Sequence, residues 1–67
     1  MITVTVNGKA SQLPLPQTVS SLLHGLGYAG KRIAVERNGE IVPKSRHAET
    51  PLVDGDQFEI VVAVGGG

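Results

Sequence analysis

The amino-acid sequence predicts an α+β domain of two layers, a mixed sheet with one main helix packed on one face, and three observations carry that expectation. Apolar residues alternate near both ends of the chain, as Ile2, Val4 and Val6 and again as Phe58, Ile60, Val62 and Val64, which is the period of a half-buried strand. Between them Val19, Leu22, Leu23 and Leu26 recur at helical spacing. Asn7-Gly8 and Asn38-Gly39 each supply the two positive φ angles of a tight hairpin turn. A single helix covers only one face of a sheet, so two layers are expected.

In chain order, Ile2–Val6 places Thr3 and Thr5 between its apolar residues, a β-branched composition suited to a strand. The chain then returns antiparallel over Lys9–Leu13. A two-residue turn sets Lys9 and Ser11 opposite Val6 and Val4, which predicts a poorly buried edge strand ended by Pro14 and Pro16. Thr18 stands where a helix needs a capping hydroxyl, and Gly25 or Gly27 can end the helix. Residues 32–37 and 40–42 form a second hairpin around Asn38-Gly39, closed by Pro43, and residues 45–49 make one helical turn. Asp54-Gly55-Asp56 is a third turn. It feeds residues 57–64, whose second face carries Glu59, Val61 and Ala63. The first and last strands are the most apolar and belong side by side at the centre, parallel, with helix and loops as the crossover. This order is a β-grasp, the ubiquitin-like arrangement. The expected organisation is one domain over residues 1–64 and a flexible glycine tail over 65–67.

Composition narrows the function. A chain of 67 residues, 40% of them hydrophobic, is too apolar to be disordered and too short for more than one core. There is no material for a deep active-site cleft. Without cysteine there is no disulfide, thiolate nucleophile or cysteine zinc site, in keeping with a reducing compartment. No apolar stretch approaches the roughly 20 residues of a membrane span, and the N-terminus lacks a signal-peptide pattern. The expected location is cytoplasmic. The net charge of zero conceals an asymmetry, because all six acids lie at or beyond Glu36 and no Lys or Arg follows Arg46. Such an acidic approach to the chain end either steers docking onto a basic partner or is a solvated loop. With Tyr28 and Phe58 the only aromatics and no basic cluster in the sequence, nucleic-acid binding is not expected.

Several chemical motifs fail on context. Residues 25–30 match G-x-G-x-x-G, yet they follow a helix pattern and precede none, so helix termination explains those glycines better than dinucleotide binding. Ser20, Ser21 and His24 fall within one helical turn, but no orienting acid or oxyanion hole accompanies them. His24 and His47 are too few and too scattered for a metal site, and none is expected.

The chain end is different. Val64-Gly65-Gly66-Gly67 offers a backbone carboxylate without neighbouring side chains, able to enter a slot too narrow for other residues. Extended, the three glycines reach roughly 10 Å. Small residues also accumulate at chain ends without function. Ordering three residues on binding costs on the order of 3 to 6 kcal/mol, so the domain body must contribute to docking. Val61 and Ala63, opposite Phe58 and Ile60 on the last strand, are expected to be exposed and to belong to that patch.

Asn38-Gly39-Glu40-Ile41-Val42-Pro43, Asp54-Gly55-Asp56, Glu59-Ile60-Val61 and the glycine end, in a β-grasp order, resemble the ThiS family of sulfur carriers of thiamine thiazole biosynthesis. The first two segments are also similar to the RNA-associated TGS modules of larger proteins, and the terminal glycines separate the two. Members commonly end in a glycine pair, whereas this sequence shows three. The resemblance implies that Gly67 is adenylated by a ThiF-type enzyme using ATP. A cysteine-desulfurase persulfide then converts it to a thiocarboxylate, which gives its sulfur to a ThiG-type thiazole synthase. Gly65 and Gly66 serve as the thread. The chain is then a protein cosubstrate, not an enzyme, and binds no cofactor itself. The small subunit of molybdopterin synthase, a TGS-like binding module and a ubiquitin-like protein modifier are the competing readings.

Overall fold

A computed structural model of the chain describes residues 1–28 and 30–63. Five strands, β1 (Ile2–Val6), β2 (Lys9–Leu13), β3 (Ile33–Arg37), β4 (Glu40–Ile41) and β5 (Gln57–Val62), form one sheet in the order β2-β1-β5-β3-β4. The central pair β1–β5 is parallel, with Thr5 opposite Gln57 and Val6 opposite Phe58. The other pairings are antiparallel. Val6 faces Lys9 and Val4 faces Ser11 across the first hairpin, the register its two-residue turn dictates. Asn7 and Asn38 take φ of 50° and 51°, as such turns require.

Both turn asparagines also hold the last strand. The Asn7 backbone N–H donates to the Phe58 carbonyl at 2.9 Å. Its side-chain carbonyl accepts from the Ile60 N–H at 2.7 Å while its amide donates to the Ile60 carbonyl at 3.2 Å. Asn38 does the same from the other side, exchanging bonds with Gln57 through its backbone N–H and its Oδ1. The short parallel ladder is thereby continued by side chains.

α1 (Val19–Gly25) crosses one face of the sheet. Thr18 Oγ1 accepts from the Ser21 N–H and Ser21 Oγ accepts from the Thr18 N–H, a reciprocal cap. At the other end Gly27, with φ of +84°, donates to the His24 carbonyl and Tyr28 donates to the Leu23 carbonyl. That is a Schellman ending, so of the two glycines considered, Gly27 stops the helix. Leu26 becomes the capping residue and is 43% exposed, instead of sharing the buried stripe. A 3-10 segment, Lys44–Glu49, leads back to β5 and starts one residue earlier than expected.

Ile2, Val4, Val6, Val19, Leu22, Leu23, Val35, Leu52, Phe58 and Ile60 are the buried core. Val62, expected on the same strand face as Phe58 and Ile60, is 40% exposed. It lies opposite the half-buried Ile33, at the end of the sheet where the helix-side face opens into a groove. Val64 falls outside the described residues. Asp56, read from sequence as a turn residue, is buried and accepts bonds from Arg37 Nε at 3.0 Å, Asn38 Nδ2 at 3.1 Å and the Val53 N–H at 2.9 Å. Burial pushes its carboxyl up, but the Val53, Asn38 and Arg37 bonds together with the Arg37 charge outweigh that and hold it below the ordinary aspartate value.

Candidate functional site

The end of β5 is where the expected chemistry leaves the body. Ala63, the last described residue before Val64 and the glycines, is exposed, and its N–H donates to the Arg32 carbonyl at 2.8 Å. Val61 is 61% exposed. The antiparallel register sets Val61 opposite Ala34 and Glu59 opposite Glu36, with Ile41 beyond Glu36 on β4 and itself 64% exposed. These residues share the sheet face that α1 does not cover, because side chains two apart on a strand point the same way. An apolar strip beside two facing carboxylates results. Gly65, Gly66 and Gly67 lie outside the described residues.

The other side of the β5 end has the opposite charge. Leu23 and His24 of α1, Tyr28, residues 30–34, Lys44, His47 and Ala63 line an open groove of about 590 Å³, which reaches round the sheet edge as far as Ala34. Lys31, Arg32 and Lys44 are half of the chain's six Lys and Arg, and both histidines join them. No carboxylate lines the groove among the described residues. His47 is buried and its Nε2 lies 3.0 Å from the Val42 carbonyl, so that nitrogen carries the proton and donates. This groove is wide and open, and differs from the deep active-site cleft for which so small a domain has no material.

Other candidates dissolve in the geometry. The Ser21 hydroxyl belongs to the helix cap and donates to Gln17 Oε1 at 2.6 Å. Ser20 and His24 both border the groove, with no acid beside them to orient the imidazole. Gly25 is helical and Gly27 is the helix stop, which accounts for the start of the G-x-G-x-x-G match. Although His24 and His47 converge on one groove, no three His, Asp or Glu side chains are grouped as metal ligands among the described residues. No helix among them is long and apolar enough to cross a membrane.

The basic groove escaped the sequence because its cations are far from the tail in the chain. The signal was present in the topology: a β3 antiparallel to β5 must bring residues 31 and 32 to the end of β5.

A five-stranded mixed sheet in this order, with one helix on one face, defines a β-grasp protein. The profile of the ThiS family matches residues 4–67, and the chain belongs to that family. A crystal structure of the thiamine biosynthesis protein ThiS from Geobacter metallireducens superposes with a TM-score of 0.82 at 35% identity, covering 98% of this chain and all of that one. The sulfur carrier protein ThiS of Bacillus subtilis is 46% identical over 50 residues, 75% of this chain and 76% of its own. A thiazole synthase of Paramagnetospirillum magneticum is 45% identical over 64 residues, 96% of this chain; the chain spans 20% of that protein's length.

Proposed function

We propose that this chain is a sulfur carrier protein for thiazole formation and that the α-carboxylate of Gly67 is its working group. The observation that carries the reading is the family match, which runs through Gly65 and Gly66 to Gly67. A relative named as a sulfur carrier, matched over three quarters of both chains, supports it.

The chemistry follows from the weakness of a carboxylate as an electrophile. With a pKa of about 3.3 to 3.7 an α-carboxyl is ionised at neutral pH, so it must be activated before sulfur can attack. In the site of a ThiF-type enzyme, the Gly67 carboxylate attacks the α-phosphorus of ATP. An acyl–oxygen–phosphorus bond forms and pyrophosphate leaves. The terminal sulfur of a cysteine-desulfurase persulfide then attacks the acyl carbon and AMP departs. A thiol reductant cleaves the resulting acyl disulfide to the thiocarboxylate, and a ThiG-type thiazole synthase accepts the sulfur. The chain is a cosubstrate without a cofactor of its own, acting in the cytoplasm where ATP is available. Gly65 and Gly66 let the backbone thread a narrow slot, and Val61 with Ala63 forms the apolar contact that offsets the cost of ordering them.

The test is reconstitution from purified chain, activating enzyme, ATP, persulfide donor, reductant and thiazole synthase. Thiazole should form in proportion to the chain supplied. A chain that instead serves only molybdopterin synthesis is a carrier with a different acceptor, and one that serves neither is not a carrier.

A further inference from the structure

We infer that the basic groove beside the root of the glycine tail receives an acidic segment of the enzyme that activates that tail; the inference rests on the carrier reading above. Three observations converge. Lys31, Arg32 and Lys44 are all exposed, and among the described residues the one ion pair is Arg37–Asp56, elsewhere on the sheet. No acid lines the groove among those residues, although the chain as a whole carries as many acids as cations. Ala63 lines the groove and its N–H is bonded to the Arg32 carbonyl, so the opening adjoins the last described residue before the glycines.

An uncompensated cluster of cations raises the potential at one spot and steers a partner of opposite sign into register. Carboxylates on that partner, placed around its tail slot, are the complement. The apolar floor given by Leu23, Tyr28 and Ile33 suits the methylene stems of Asp and Glu side chains between those charges. On the opposite side of the same root, Glu36 and Glu59 face each other beside Val61. Ala63 therefore lies between a basic and an acidic surface, and a partner complementary to both fixes the rotation of the body. Activation is the step that gains most from steering. In the Paramagnetospirillum relative a segment like this chain is part of the thiazole synthase itself, and linkage supplies effective concentration without charge steering.

The test compares Lys44→Glu with Lys9→Glu, a charge reversal of equal size on the far hairpin. Both positions are exposed, and thermal melts confirm folding. With the purified activating enzyme and ATP, ATP–pyrophosphate exchange is measured as a function of chain concentration at low and high salt. Lys44→Glu should raise KM roughly three- to tenfold at low salt with kcat nearly unchanged, and the effect should shrink at high salt. Lys44→Gln should fall between it and wild type, and Lys9→Glu should match wild type within about twofold. If the wild type is activated but Lys44→Glu and Lys9→Glu are indistinguishable, the groove has no part in docking while the carrier reading stands. If the wild type is not activated at all, the carrier reading falls and takes this inference with it.

Discussion

At the scale of single residues, Asn7, Asn38 and Asp56 each do two things, and only the first was legible. Asn-Gly spacing announces a hairpin because asparagine tolerates the left-handed region. What it does not announce is that Asn7 will bracket Ile60, more than fifty residues away, or that Asn38 will meet Gln57 and Asp56. Those roles depend on which strand lies alongside, a property of topology. Asp56 likewise reads as a turn residue and is a buried pin joining Arg37, Asn38 and Val53. Asp56→Asn keeps the shape and removes the charge, and should destabilise the fold by about 1.5 to 3 kcal/mol, measured by urea unfolding at neutral pH. The pH dependence has a definite sign. Since the folded carboxyl titrates below the ordinary value of 3.8, its contribution is complete above that value and disappears as pH falls through the folded one. The gap between wild type and Asp56→Asn should narrow in acid. A gap independent of pH would remove the ionised carboxylate from the account.

Among the elements, the helix and the last strand show what periodicity reveals and where it stops. The apolar spacing of Val19, Leu22 and Leu23 marks the buried stripe correctly. Leu26 matches the same spacing, yet Gly27 turns the chain before it can pack. Similarly, Val62 continues the alternation of β5 but lies past the cover that the helix provides. Periodicity records where a side chain points and not whether anything is there to meet it. A helix of seven residues is too short to stand alone, so its caps matter. Thr18→Ala should cost about 1 kcal/mol, seen as a lower urea midpoint with an unchanged slope. On β5, Val61 faces away from the core and is exposed. Val61→Asp should therefore leave the melting curve close to that of wild type while raising KM for the activating enzyme several-fold. A folded Val61→Asp with wild-type kinetics would take the open sheet face out of the docking patch.

For the molecule as a whole, the architecture was readable because local signals agreed: two hairpin turns, one helix and two apolar strands leave few ways to build a two-layer domain. The candidate site was readable only in part. Glycines at 65–67 stand out in any reading, and the exposure of Val61 and Ala63 follows from strand alternation once the helix is assigned to the other face. The acidic character read along the sequence near the tail is half of the electrostatics. Folding adds the other half, bringing Lys31, Arg32 and Lys44 to the same place, and no local pattern shows that. Charge separated on the two sides of Ala63 and a sheet with one face left open fit the docking proposed above. Whether Gly67 carries the sulfur is read by intact-protein mass spectrometry with fragmentation. After incubation with the activating enzyme, ATP, a persulfide donor and a thiol reductant, one oxygen should exchange for sulfur, localised to Gly67 and dependent on ATP. An unchanged mass, or sulfur attached at any other residue, would contradict it.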